Sequence, residues 1–334
     1  MEKKINILKQ ECVWEIDHDL FPFAHAATCV KNEKGDLLVV YFAGTFECKP
    51  DQGLWMSRRI NGIWEKPKRI KFIYLLPHWN PVLHQDGDRI ILYYKHGLNC
   101  EEWYTMMTET YDFGATWSVS KEAVPGDYSS RVATKNKMLV TEDGRWISGC
   151  SSETKEIWKC HIEISEDQGQ TWVKHPIPFK NWSKEEKNET IVPGMEADGI
   201  IQPALWQSDE KAFHCLMRSS RGYIYRSDSN DGGETWCEAY PISLPNNNSG
   251  ITLAQLEDKM LVLVLNPGNK AARTPLSITL SEDNGETWSE YMHLETDDAH
   301  FSYPYAITDG KTVDIVYTWR NQTIAHCEIE IISE

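Results

Sequence analysis

The sequence predicts an all-β fold organised as a six-bladed propeller. Three observations predict it: a box of eight residues recurring about every fifty, strand-like runs around each box, and almost no helical periodicity. The boxes read TYDFGATW at 110–117, SEDQGQTW at 165–172, SNDGGETW at 229–236 and SEDNGETW at 281–288. An eroded copy, SRRINGIW, lies at 57–64. The closing residues Trp64, Trp117, Trp172, Trp236 and Trp288 are spaced 53, 55, 64 and 52 apart.

Each box follows a short alternating or apolar run, such as RGYIYRSD or PLSITL, and precedes a second one. That is the pattern of strand, tight turn and strand. Asp and Ser side chains bond backbone amides in such a turn, Gly takes a positive φ, and Trp packs against the blade. Carboxylates repeated at one place in every blade cannot converge on one site. Asp167, Asp231 and Asp283 therefore read as scaffold. Between the boxes, DLLVVYFAG, RIILYYKHG, KMLVLVLN and TVDIVYTW supply further strands, about four per repeat. Five boxed repeats and the residues from about 295 onward make six blades. The last has no box, and a strand around Val13–Ile16 is expected to complete it and close the ring. No linker interrupts the pattern, so residues 1–334 read as one domain.

Composition narrows the function classes. The 50 acidic and 34 basic residues give a net charge of −16, and no basic block exists to anchor phosphates. This argues against nucleic acid or a membrane surface as partner. An acidic small substrate needs a local arginine cluster set against that field. Fourteen Trp and 14 Tyr suit a β-rich protein, a carbohydrate-stacking surface, or both. MEKKINILKQECVWEI has no apolar stretch after its charges, and no run of about 18 apolar residues occurs, so neither a signal peptide nor a membrane span is expected. A cytoplasmic protein is the simpler reading; a secreted one stripped of its signal would read the same. Nine scattered Cys without a CxxC suggest no zinc site, no disulfide framework and no cofactor.

The box, repeated on a propeller of this size, resembles the Asp-box repeat of the sialidase superfamily over essentially the whole chain. The resemblance implies a sialidase-like propeller with Asp-box hairpins and, less specifically, an exo-acting glycoside hydrolase. Sialidases hold the substrate carboxylate with three arginines, use a Tyr–Glu pair as nucleophile and base, and an Asp as acid/base. Guanidinium forks match a carboxylate, and a neutral Tyr avoids the repulsion between an anionic sugar and a carboxylate nucleophile.

On that resemblance, Arg218 in FHCLMRSSRGYIYRSD and Arg273 in NPGNKAARTPLSITL match the second and third arginines. Tyr303 in FSYPYAI matches the nucleophile. In FPFAHAATCV, His25 stands where the first arginine belongs, a group that titrates near neutrality. In YFAGTFECKPDQG, Asp51 falls at the acid/base position with Glu47 close by, unless both are solvated loop charges. In DGIIQPALWQSD, Gln202 occupies the place of the Glu base and cannot accept a proton. It is left to orient a water or hold Tyr303, with His25 or Asp51 as base. Trp79 and Asn80 in PHWNPVLH, Lys137 in KNK, Asn247 in LPNNNSG and the amides of LNPGN at 265–269 either touch sugar at the mouth or form turns. Arg320 in YTWRNQ either supplies the missing positive charge or pairs with a surface acid.

The leading expectation is an exo-acting hydrolase releasing a terminal acidic sugar, most simply an α-linked sialic acid. The alternatives are a lyase or hydrolase for uronic-acid-containing oligosaccharides, and a non-catalytic binder of acidic glycans.

Overall fold

A computed structural model of the chain describes residues 3–17, 19–71, 75–182, 196–268 and 272–333. Among these the fold is all-β, with no α-helix. The strands form six antiparallel units. The first contains Phe23–Lys31, Leu37–Gly44, Gly53–Ile60 and Lys68–Lys71, and the second His78–Asp86, Arg89–His96, Tyr104–Thr110 and Lys121–Glu122. The third contains Leu139–Val140, Trp146–Glu153, Ile157–Ser165 and Val173–Pro176. The fourth contains Asp198–Asp209, Ala212–Ser219, Tyr223–Ser229 and Tyr240–Pro245. Thr252–Gln255, Leu261–Leu265, Leu276–Ser281 and Met292–Glu295 form the fifth. The sixth takes Phe301–Thr308, Thr312–Trp319 and Thr323–Ser333 from the end of the chain and Lys3–Cys12 from its beginning.

Two details differ from the sequence expectation. The strand that completes the last unit is Lys3–Cys12, paired with Thr323–Ser333, and not Val13–Ile16. Val13 and Trp14 instead turn inward, where Trp14 stacks on Tyr41 at 4.6 Å. Burying those two side chains outweighs continuing an exposed edge strand. In addition, the third and fourth units share one sheet, because Ile157 and Trp158 pair in parallel with Asp198 and Gly199. Gly199 permits this approach: its φ is +152°, and a Cβ there would collide with the Trp158 carbonyl.

The core lies between successive units. Leu38, Phe42, Leu54 and Met56 of the first meet Leu83, Ile90 and Leu92 of the second. Similar layers join the third to the fourth, the fourth to the fifth and the fifth to the sixth. A further cluster gathers residues of the sixth, first, second and third units around Tyr41, Tyr93 and Tyr305.

The boxes stitch these layers. In the second unit, Asp112 accepts bonds from the Thr116 amide (2.8 Å), the Thr116 hydroxyl (2.6 Å) and the Thr110 hydroxyl (2.7 Å). Asp167, Asp231 and Asp283 repeat the arrangement with Thr171, Thr235 and Thr287. The threonine bonds hold Asp112, Asp167 and Asp231 at a pKa of about 2, so they are ionised and fully engaged at neutral pH. Two left-handed residues turn each box, for example Gln168 and Gly169. The second glycine presses on the unit before: Gly114 against Leu38 and Met56, Gly233 against Ile164, Gly285 against Trp206. The repeated carboxylates are scaffold.

Candidate active site

In or just ahead of Phe23–Lys31, His78–Asp86, Leu139–Val140, Asp198–Asp209, Thr252–Gln255 and Phe301–Thr308, one strand of each unit, lies a non-glycine residue in the left-handed region: Ala26, Asn80, Val132, Gln202, Asn248 and Tyr303, with φ between 40° and 63°. In four of them the cross-strand register slips at this residue: between His25 and Thr28, Trp79 and Val82, Ile201 and Ala204, and Ser302 and Tyr305. Such a bulge bends the strand and re-aims one side chain. Proline follows in three cases (Pro81, Pro203, Pro304), where the missing N–H is tolerated. A left-handed non-glycine residue costs about 1–3 kcal/mol, so the surroundings must hold it.

Gln202 and Tyr303 meet through these bulges. The Gln202 amide Nε2 lies 3.4 Å from the Tyr303 hydroxyl, and Arg218 Nη1 donates to that hydroxyl at 3.1 Å and to Gln202 Oε1 at 3.2 Å. Arg218 Nε also donates to Asn248 Oδ1 at 3.0 Å, which fixes the plane of the guanidinium. Arg273 and Arg218 lie 5.5 and 5.6 Å from the Tyr303 ring centre, and Lys135 lies 5.9 Å away. His25 packs on the ring at 4.4 Å, with its Nδ1 3.0 Å from the Thr318 hydroxyl. Five units thus contribute to one constellation.

Its charge balance is unusual for this protein. Arg58, Arg89, Arg131, Arg145, Arg221, Arg226 and Arg320 all pair with carboxylates. Among the described residues, Arg218, Arg273, Lys135 and Lys137 make no such pair. Burial first, and then the charge of Arg218, pulls Arg273 below the ordinary arginine value. Burial and Arg218 do the same to Lys135, far more strongly. Cations gathered this closely with no carboxylate in ion-pair contact among the described residues disfavour one another, and a bound anion relieves that.

A family model described as a BNR repeat-like domain matches residues 35–315. The chain belongs to the BNR repeat-like family. No curated protein sequence matches it. Among solved structures it is similar to a protein of unknown function from Dyadobacter fermentans (TM-score 0.77, 15% identity, covering 98% of this chain and 99% of that one). It is also similar to the NanB sialidase of Streptococcus pneumoniae (TM-score 0.69, 13% identity, 93% and 68%). A third is the intramolecular trans-sialidase of Ruminococcus gnavus bound to oseltamivir carboxylate (TM-score 0.67, 13% identity, 93% and 94%). At 13–15% identity these likenesses show the fold alone, and the reaction must be argued from the site.

In this BNR repeat-like chain the two loop acids separate. Asp51 Oδ2 accepts from the Thr45 amide at 2.8 Å and the Thr45 hydroxyl at 2.7 Å, so it braces its own loop. Glu47 is half-buried and lies in the field of Arg273 and Arg218; burial raises its pKa against their pull. His25 is neutral at neutral pH, because burial, then Arg273, His300, Arg218 and Lys135, hold its pKa well below the usual value. It does not supply the missing positive charge. Nor does Arg320, which pairs with Asp297 at 2.6 Å and lies over Trp319.

The remaining candidates support the wall. Trp79 is buried, donates to the Gly97 carbonyl at 2.9 Å and packs on Phe42 and Trp103. Asn80 is a buried bulge residue. Asn247 donates to the Ala272 carbonyl at 2.6 Å, tying down the chain beside Arg273. Lys137 donates to the carbonyls of Leu253 and Ala306, and burial lowers its pKa to about 8. Asn269 of LNPGN lies outside the described residues.

Sequence reasoning did not single out Asn248, His300, Thr318 or Glu153. His300 lies 6.0 Å from His25, with its pKa brought to about 4 by burial and Arg273. Glu153, bonded by the Ser151 hydroxyl at 3.2 Å, is raised by burial against the charge of Arg218. The dipeptides Asn80-Pro81, Gln202-Pro203 and Tyr303-Pro304, each near the start of a strand, are the signal that marks the inward bulges.

Proposed function

We propose that the six units close into a six-bladed propeller, and that the constellation around Tyr303 is the active site of an exo-acting glycoside hydrolase. Its substrate is a terminal acidic sugar, most simply an α-linked sialic acid. The observation that carries this reading is the set of cations without acid partners, Arg218, Arg273 and Lys135, gathered around Tyr303 in a protein of net charge −16. Arg218 and Arg273 hold the sugar carboxylate. Glu47, with its raised pKa, protonates the leaving oxygen. Gln202 cannot take the Tyr303 proton as a carboxylate would. In the tautomer that carries its proton on Nδ1, toward the Thr318 hydroxyl 3.0 Å away, His25 has Nε2 to accept a proton from Tyr303 or from an attacking water.

One observation favours a second reading, a lyase for uronic-acid-containing oligosaccharides. Among the described residues the Tyr303 oxygen meets two donors, Arg218 and the Gln202 amide, and no carboxylate acceptor. With its own proton passed to His25, that oxygen takes the proton from the carbon next to the sugar carboxylate while the arginines draw charge from that group. The C–H electron pair forms the double bond as the bond to the leaving sugar oxygen breaks, and Glu47 protonates that oxygen.

The discriminating assay incubates the protein with sialylated and uronic-acid-containing oligosaccharides and follows ultraviolet absorbance and released sugar together. Free acidic sugar without new absorbance is the expected result. Absorbance from an unsaturated product transfers the site to the lyase. Binding without any product makes it a lectin-like site and overturns both readings.

A further inference from the structure

We infer that Lys135 and Asn136 form an axial strut that holds Gln202 and Tyr303 in their inward-facing conformations, and so act as positioning residues for the site. The inference rests on the proposed function for its kinetic consequences, but not for its geometry.

A bulge leaves backbone groups without ladder partners, and buried orphans of this kind must be satisfied. The register slips between Ile201 and Ala204 and between Ser302 and Tyr305 release the carbonyls around Gln202, Pro203 and Pro304. Asn136 meets the first two: its Nδ2 donates to the Gln202 carbonyl at 3.0 Å and the Pro203 carbonyl at 3.3 Å. Lys135 meets the third: its Nζ donates to the Pro304 carbonyl, to the Ile251 carbonyl at 2.7 Å and to Asn136 Oδ1 at 3.3 Å. The ammonium has three donors and all three are used. It therefore cannot also touch substrate, and its effect on the site passes through the backbone and through its charge beneath the Tyr303 ring.

The strut also explains why a lysine is buried with no acid beside it. A carboxylate here would neutralise the cations above. Carbonyl oxygens solvate the ammonium without doing so. Both residues are almost wholly enclosed, and Gly250 packs against the Lys135 Cε, so the side chain has one path to its acceptors. One side chain thus ties the third unit to the fifth and sixth, and its neighbour ties the third to the fourth.

The test uses Asn136→Ala and Lys135→Met in the full-length protein, with Asn136→Ser as the conservative variant. Thermal melts set a temperature at which all are folded. With strut contacts removed, Gln202 and Tyr303 relax toward ordinary strand conformation while Arg273 still holds the carboxylate. The expected outcome is a fall in kcat of about a hundredfold with KM changed only a few-fold, and partial recovery in Asn136→Ser. A loss of stability with kcat unchanged at the folded temperature overturns the inference. So does an equal loss across all three variants. Backbone ¹³C shifts of Gln202 and Tyr303 give a readout that needs no substrate. They are expected to leave the left-handed range in Asn136→Ala, and left-handed shifts that persist in both Asn136→Ala and Lys135→Met overturn the strut. If wild-type protein turns over no acidic glycan, the proposed function fails, and the shift measurement still decides the strut.

Discussion

Arg218→Met lowers kcat/KM for the acidic glycan by about a thousandfold, a loss on the order of 4 kcal/mol. Arg218 is enclosed, and its guanidinium already bonds Gln202, Asn248 and Tyr303. Its bonds to protein fix its orientation, and it faces the cationic cluster without a counter-ion. Methionine fills much of the same volume but leaves Asn248 Oδ1 and the Tyr303 oxygen without their donor. A substrate carboxylate then meets one guanidinium in place of two. Arg218→Lys recovers little, because a single ammonium cannot span acceptors set out for a planar fork. Steady-state kinetics on folded variants, with melting curves as control, check both.

Glu163→Gln, in contrast, is expected to lower stability by about 3–5 kcal/mol, roughly a 10 °C fall in Tm, without touching the site. Glu163 is fully buried between the strands of the third unit and accepts from Arg131 Nε at 3.0 and 3.1 Å and from His161 Nε2 at 2.9 Å. Burial alone would favour a neutral His161, but Cys150 and Glu163 beside it raise its pKa to about 9. Burial likewise opposes the charge on Glu163, and the bonds from His161 and Arg131 overcome it. Removing the carboxylate takes the acid partner from the buried imidazolium and leaves the Arg131 guanidinium with Asp127 alone. Differential scanning calorimetry at neutral pH reads the effect directly.

How much of this was legible in the sequence depends on the range of the interaction. The boxes are local: Asp112 bonds Thr110 and Thr116, and the turn glycines are fixed by their own backbone, so eight letters determine them. Counting outward from the boxes also locates Arg218, Arg273 and Tyr303, which the structure brings together. The ionisation of His25 was not legible, because it depends on burial and on charges from several other units. The resemblance puts Asp51 at the acid/base position with Glu47 close by, and only the bonds from Thr45 show that Asp51 braces its own loop. Lys135 and Asn136 find their acceptors as far as 169 and 67 residues away, where no sequence periodicity reaches. The closing strand was misplaced because Val13 and Trp14 look like strand residues, while their burial against Tyr41 is a tertiary matter.

The most direct test of the central claim, that the paired arginines recognise a sugar carboxylate, is calorimetric titration with free N-acetylneuraminate and glucuronate and with their methyl esters. The account predicts that at least one acid binds and that its ester, which keeps the ring and loses the charge, does not. Equal binding of acid and ester, or binding of the acid that survives in an Arg218→Met, Arg273→Met double variant, would contradict it.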